Sequence, residues 1–112
     1  LIVDDEPAVR QLVQRSLTAY EVSEAGDGEE ALVAIRADKP DLVIADIQMP
    51  RMDGFELVDQ LKEEFPDLPV LALSGYVGAE EIEAHNFVGT IEKPMQVNDF
   101  QQMIDDTLDK SG

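Results

Sequence analysis

The stretch DLVIADIQMPRMDG, residues 41–54, contains the feature that decides the fold. Its apolar run from Leu42 to Ala45 includes β-branched residues and predicts a strand buried on both faces, as in a parallel sheet covered by helices. This strand ends at a carboxylate, Asp46. The chain opens in the same way, since LIVDDE, residues 1–6, places three acidic residues directly after three apolar ones. Two buried strands that both end in carboxylates require a physical explanation.

Length and composition narrow the classes of protein. A chain of 112 residues fits one domain, here residues 1–112. It has 25 acidic and 8 basic residues, a net charge of −17, and such a surface repels phosphate backbones and anionic lipids. We therefore expect no direct nucleic-acid binding and no membrane association.

The sequence also has no pattern typical of a membrane-spanning, secreted or disulfide-bonded protein. No apolar run approaches the roughly 18 residues of a membrane span, and no signal-peptide pattern is present. The chain has no cysteine, which excludes a disulfide framework and a cysteine-ligated metal. We expect a cytoplasmic protein. Because the chain lacks an initiator Met and begins inside an apolar run, we also expect it to be a fragment of a longer protein.

Apolar runs alternate with segments of helical periodicity along the whole chain. The predicted strands are residues 1–3, 20–25, 41–45, 69–74 and 88–92. The predicted helices are residues 7–19, 29–38, 55–65, 78–86 and 97–108. Five such pairs favour an α/β fold with a parallel sheet covered on both faces, and right-handed crossovers leave few topologies open.

Polar residues end four of the five predicted strands. In an open parallel sheet, the site lies at the carboxyl ends of the strands, where the strand order reverses. Asp4 and Asp5 end the first strand and Asp46 ends the third, so neighbouring strands would bring the three carboxylates together. Ser74 and Lys93 end the fourth and fifth strands and point to the same edge.

Three converging carboxylates need a cation. Two unit charges about 4 Å apart repel by ~4 kcal/mol at an effective dielectric constant near 20. Mg²⁺ prefers oxygen ligands and typically takes one or two carboxylates together with phosphate oxygens. A metal, a lysine, a hydroxyl and a spare carboxylate resemble a phosphoryl-transfer site in which the carboxylate is the nucleophile.

Four motifs in order carry a family resemblance: LIVDDE (1–6), DLVIADIQMPRMDG (41–54), LALSG (71–75) and EKP (92–94). Together they resemble the signature of the receiver domain of two-component response regulators, the CheY-like superfamily. The resemblance covers essentially the whole chain. It implies a flavodoxin-like (βα)₅ fold, a doubly wound parallel sheet with strand order 2-1-3-4-5.

The resemblance also implies a phosphoacceptor and a metal site. Asp46 would take a phosphoryl group from the phosphohistidine of a histidine kinase or a histidine phosphotransfer protein. Asp5 and Asp46 would bind Mg²⁺ directly, with the backbone carbonyl of Gln48 as a third protein ligand. Asp4 would act mainly through a coordinated water.

The remaining implied roles concern the phosphoryl group itself. Ser74 would hydrogen-bond the phosphoryl oxygens, Lys93 would pair with them, and Gly75 would leave room for them. Gln48 and Tyr76, each two positions past a site residue, would gate water and set the lifetime of the phosphorylated state. Such a domain catalyses its own phosphorylation and slow dephosphorylation rather than acting as a multiple-turnover enzyme.

Two features depart from the family pattern. The position three residues before Lys93, usually a Tyr or Phe that rotates as a switch, is Thr90. The segment from Ser74 to Lys93 is also shorter than in common members, which implies a shortened fourth helix. A minority of receivers share this shortened segment.

Several alternatives remain open from the sequence. The chain could be a pseudo-receiver that keeps the fold without phosphoryl chemistry, or a Mg²⁺-dependent phosphohydrolase acting through an aspartyl phosphate. Asp4, Asp5 and Glu6 could simply cap the first helix, since acidic residues favour helix N-termini. A free-standing receiver, the receiver of a hybrid histidine kinase and the receiver of an output-linked regulator would share these motifs.

Overall fold

The structure, a computed structural model, describes residues 1–17, 20–47, 49, 52–74, 85, 87–92 and 97–111. Within these residues, the strands are β1 (Ile2–Val3), β2 (Glu24–Ala25), β3 (Val43–Asp46), β4 (Val70–Ser74) and β5 (Gly89–Glu92). The helices are α1 (Pro7–Ser16), α2 (Gly28–Ala37), α3 (Gly54–Glu64) and α4 (Val97–Ser111). The predicted helix at residues 78–86 lies outside the described residues, apart from His85.

The five strands form one sheet in the order β2-β1-β3-β4-β5. Every neighbouring pair is parallel. This confirms the predicted strand order and places β1 and β3, the two strands that end in acidic residues, next to each other. Among the described helices, none combines the length and the apolar content that crossing a bilayer demands.

Strand β3 is buried on both faces, as its apolar run predicts. Val43 and Ala45 belong to a cluster that includes residues of α2 and α3, whereas Ile44 belongs to a cluster with Val13 of α1 and Ile104 of α4. All four residues of β3, including the terminal carboxylate, are buried. Successive side chains of a strand point to opposite faces, so helices cover both sides of the sheet.

The prediction of a strand over residues 20–25 is wrong for its first four residues. The strand β2 contains only Glu24 and Ala25. The amide of Tyr20 donates to the Leu17 carbonyl at 3.1 Å, so the chain turns there, and Tyr20 is exposed. An alternation of apolar and polar residues at an exposed position is therefore not sufficient to form a strand.

Side-chain caps fix the starts of α2 and α3. Asp53 accepts a hydrogen bond from the Glu56 amide at 3.0 Å and so caps α3. Asp27 accepts from the Glu30 amide at 2.9 Å and caps α2 in the same way. Such caps satisfy amides that have no partner within the helix.

Gly54, the first residue of α3, allows this helix to approach the end of β3 closely. Its amide donates to the Ile47 carbonyl at 3.0 Å. A Cβ atom at this position would lie 2.5 Å from the Asp46 carbonyl oxygen and 2.9 Å from the Ile47 Cα. Both neighbours are backbone atoms that cannot rotate away, so this position requires glycine for steric reasons.

We predict that Gly54→Ala lowers the free energy of unfolding by about 1 to 3 kcal/mol, because the added methyl group forces backbone apart. Urea unfolding measures the change. Gly26→Ala is the matched control, since its Cβ would meet the Glu30 Oε2 atom, the end of a flexible side chain, at 2.7 Å. Equal losses in the two variants would contradict the steric explanation.

Candidate functional site at the carboxyl edge of the sheet

The strand register brings the predicted carboxylates of β1 and β3 to one place. Val3 pairs with Ala45. The next residues along these parallel strands, Asp4 and Asp46, therefore lie side by side at the carboxyl edge. Their exposed fractions are 0% for Asp4 and 6% for Asp46. The backbones of these two residues are thus neighbours, as expected for adjoining strands, whereas the carboxylates that the structure groups together are those of Asp4, Asp5 and Glu6.

The β1–α1 loop adds further carboxylates to this edge. One carboxylate oxygen from each of Asp4, Asp5 and Glu6 lies within 4.8 Å of those of the other two. Asp5 and Glu6 are exposed, whereas Asp4 is buried. Glu6 was not among the predicted metal ligands, although its position directly after Asp5 was a visible signal. Oxygen donors at this spacing fit a hard divalent cation such as Mg²⁺.

The alternative that these acids only cap α1 is not supported for Glu6. Glu6 occupies the N-cap position, but its side chain makes no capping hydrogen bond. The Glu6 amide instead donates to the Oδ1 atom of Asp4 at 2.9 Å. The Asp4 carboxylate is therefore fixed in direction at the start of α1.

Arg10 is a site neighbour that the sequence analysis missed. Its Nη1 atom donates to the backbone carbonyl of Asp4 at 2.6 Å, and its Nε atom donates to the Oε1 atom of Glu24 at 3.2 Å. An arginine one helical turn into an acidic loop–helix junction was the available signal. The guanidinium group joins the β1–α1 loop to β2.

The loop after Asp46 is held from two sides. The Ile47 amide donates to the Leu73 carbonyl of β4 at 3.2 Å. The Gly28 amide at the start of α2 donates to the Met52 carbonyl at 3.3 Å. These bonds connect the end of β3 to its neighbouring strand and to the helix on one face of the sheet.

The other predicted site residues fall at the same edge or outside the described residues. Ser74 is the last residue of β4, one position beyond the residue that pairs with Asp46, and it pairs with Glu92 of β5. Lys93 follows Glu92 in the sequence. Lys93 lies outside the described residues, together with Gln48, Gly75 and Tyr76.

Phe55 and Phe87 pack against the buried pair Ile47 and Ala72, and Ala72 is the sheet partner of Thr90. Thr90 pairs with Ala72 in the sheet and is partly buried. Phe87, three residues earlier, packs against Ala72 and makes an edge-on contact with Phe55, with ring centroids 6.1 Å apart. The His85 ring lies 4.3 Å from Phe55, centroid to centroid.

His85 also contacts α3 through a polar bond. Its Nδ1 atom lies 2.8 Å from the Oδ1 atom of Asp59. The described residues just before β5 are therefore fastened to α3 by ring packing and by a hydrogen bond. This contact connects that segment to the helix that begins beside Asp46.

The parallel sheet in this order, with a buried aspartate ending β3 and an acidic loop after β1, defines a receiver-type domain. The sequence family described as response regulator receiver domain matches residues 1–105. The chain therefore belongs to the response regulator receiver domain family.

Curated relatives support the same assignment. The chain is 37% identical to the autoinducer 1 sensor kinase/phosphatase LuxN of Vibrio harveyi over 115 aligned residues, which cover 99% of this chain and 14% of LuxN. It is 49% identical to the response regulator MprA of Mycolicibacterium vanbaalenii over 76 residues, which cover 66% of this chain and 33% of MprA. The chain thus spans a third or less of these relatives.

A solved structure shows the same fold. The receiver domain of NtrX from Brucella abortus superposes with a TM-score of 0.90 at 33% identity, covering 96% of each chain. The curated relatives of this chain therefore include a sensor kinase/phosphatase and a response regulator.

We predict that Asp46→Asn raises the free energy of unfolding on the order of 1 kcal/mol when divalent cations are removed. The substitution keeps the shape of a buried side chain and removes a negative charge beside Asp4. Urea unfolding in a chelator measures the change. Asp67→Asn, which makes the same charge change at an exposed turn, should have little effect. A destabilised Asp46→Asn protein would contradict the repulsion.

Proposed function

We propose that this receiver domain is a phosphoacceptor whose Asp46 takes a phosphoryl group from a phosphohistidine. The observation that carries the proposal is the placement of buried Asp46 beside Asp4, at the edge where Asp4, Asp5 and Glu6 gather. A carboxylate among other carboxylates at the carboxyl end of a parallel sheet suits a cation-assisted phosphoryl transfer.

The transfer is a displacement at phosphorus. An oxygen of the Asp46 carboxylate attacks the phosphorus atom, and a P–O bond forms as the P–N bond to the donor histidine breaks. The departing imidazole nitrogen keeps the electron pair of that bond. The aspartyl phosphate is later hydrolysed by water, and the 6% exposure of Asp46 is consistent with slow access of water.

The proposed cofactor is Mg²⁺, which Asp5, Asp46 and the backbone carbonyl of Gln48 would hold, while Asp4 would act through a water. The hard oxygen donors of the β1–α1 loop fit this ion. When bound, Mg²⁺ supplies charge neutralisation for the phosphoryl oxygens. Glu6 adds a further carboxylate oxygen within 4.8 Å of those of Asp4 and Asp5.

Ser74 and Lys93 complete the proposed site. Ser74 ends β4 at the strand edge that Asp46 occupies, and it would hydrogen-bond a phosphoryl oxygen. Lys93 follows the end of β5 and would pair with the same group as a point charge. Gly75, beside Ser74, would leave room for the phosphoryl oxygens.

The proposed signal passes from the phosphoryl group to the segment after β4. Phosphorylation would shift the population of the loop after Ser74 and of residues 78–86 between two arrangements, and so change the partners bound. The donor would be a histidine kinase or a histidine phosphotransfer protein, and the domain would act in the cytoplasm. Because Thr90 is not aromatic, the switch would work without a rotating ring at that position.

We predict that incubation with phosphoramidate and Mg²⁺ adds one labile phosphoryl group, detected by intact mass. The reaction should need both Mg²⁺ and the Asp46 carboxylate, which is the proposed nucleophile. Asp46→Asn should give no adduct, whereas Asp67→Asn should react like the parent protein.

Each other outcome has a definite meaning for the proposal. No adduct in a protein that binds Mg²⁺ would favour a pseudo-receiver. An adduct that survives Asp46→Asn would show that another residue is phosphorylated. Multiple turnover on small phosphate esters would favour a phosphohydrolase.

We predict that Tyr76→Ala and Gln48→Ala each shorten the lifetime of phosphorylated Asp46, because both side chains are proposed to restrict the access of water. Intact mass against time after removal of the phosphodonor measures the lifetime. Val33→Ala, a change at an exposed position of α2, is the control. Unchanged lifetimes in both variants would remove the gating role.

A further inference from the structure

Asp4 is held by hydrogen bonds from different parts of the fold. Its amide donates to the Ala25 carbonyl of β2 at 3.1 Å. Its Oδ1 atom accepts from the Glu6 amide at 2.9 Å, and its backbone carbonyl accepts from the Arg10 guanidinium at 2.6 Å. Asp4 is completely buried, so its carbonyl would lose a strong bond if the guanidinium were removed.

The Asp4 carbonyl belongs to the peptide group that joins Asp4 to Asp5. This group is planar, so a bond that fixes its oxygen also restricts the ψ angle of Asp4 and the φ angle of Asp5. These angles determine where the exposed Asp5 carboxylate points. The Arg10 contact therefore controls the direction of the Asp5 carboxylate, a proposed metal ligand, although the bond itself is made to the backbone carbonyl of Asp4.

The Arg10 side chain is itself anchored at its other side. Its Nε atom is paired with Glu24 of β2, and the side chains of Arg10 and Glu24 are 21% and 38% exposed. The anchor draws the guanidinium group toward β2. Arginine can make both bonds at once because its donors form a rigid planar fork, whereas a lysine ammonium cannot reproduce that geometry.

We infer that Arg10 is a positioning residue for the cation site, which holds the Asp4–Asp5 peptide group in the orientation that binds Mg²⁺. This inference rests on the proposed function, since it assigns Mg²⁺ to this edge of the sheet. Outer residues that orient metal ligands commonly change metal affinity by about 10- to 100-fold when they are replaced.

The charge of Arg10 and its hydrogen bond to Asp4 predict opposite effects on Mg²⁺ affinity when Arg10 is replaced. A cation beside an acidic cluster repels Mg²⁺, so removal of the Arg10 charge alone would tighten binding. Loss of the bond to the Asp4 carbonyl would instead weaken binding, because the ligands lose their fixed geometry. The sign of the change in affinity therefore separates the two roles.

The test is a Mg²⁺ titration of the metal-free protein, followed by the backbone amide resonance of Glu6 in two-dimensional NMR. Arg10→Gln should weaken binding on the order of tenfold. Arg10→Lys keeps the charge and should also weaken binding. Glu24→Gln should weaken it less, because the bond from Arg10 to Asp4 is kept.

Arg36→Gln is the matched control. It makes the same change in net charge at an arginine whose Nε and Nη2 atoms bond the two carboxylate oxygens of Glu64 at 2.8 and 2.7 Å, linking the far ends of α2 and α3. This variant should bind Mg²⁺ as tightly as the parent protein or slightly more tightly. Circular dichroism and thermal unfolding without Mg²⁺ check that each variant is folded.

The outcomes are distinguishable. Equal or tighter binding by Arg10→Gln, with tight binding kept by Arg10→Lys, would overturn the positioning role while leaving the proposed function intact. If Arg10→Gln does not fold, unchanged affinity in Arg10→Lys overturns the role alone. A parent protein that binds no Mg²⁺ would overturn the metal site of the proposed function and this inference with it.

Discussion

The convergence of like charges at one edge of the sheet is the constraint on which the rest of the structure depends. Asp4 and Asp46 are buried side by side, and Asp5 and Glu6 follow in the adjoining loop. Buried carboxylates are costly unless they are hydrogen-bonded or paired with a cation. The surrounding fold must therefore supply such partners, as the Glu6 amide does for Asp4, and the position of β3 between β1 and β4 keeps the acidic residues at one edge.

The register of β3 is strict because both of its faces are buried. A shift of one residue would move Asp46 into the place of Ala45, inside the apolar cluster that contains Val3 and Leu57. It would also move every side chain of the strand to the opposite face. The apolar core thus fixes the position of the carboxylates. The favourable packing of β3 offsets the repulsion between them.

The sequence predicted the parts of the fold that depend on simple periodicity and on strand-end residues. The burial of β3 on both faces and the polar ends of the strands followed from residues visible in the chain, whereas the order of the sheet, which makes Asp4 and Asp46 neighbours, came from the family resemblance. The length of β2 did not follow, because the partial burial of Val22 and the exposure of its neighbours depend on tertiary packing. The Arg10 contact with Asp4 was not predicted either, since the position of Arg10 one turn after the acidic loop does not reveal that its partner is a backbone carbonyl. The proximity of His85 to Phe55 and Asp59 likewise depends on how α3 lies against the segment before β5.

The contact at Gly54 has a mechanical consequence. The first Cα of α3 lies against the carbonyl of Asp46, with no side chain between them to absorb a displacement. An α-helix of 11 residues is a stiff rod about 16 Å long. A displacement of the Asp46 carbonyl would therefore shift or tilt the whole helix. Asp59 and Phe55 of this helix contact His85. Helix α3 is therefore a rigid connection between the end of β3 and the residues that lead into β5.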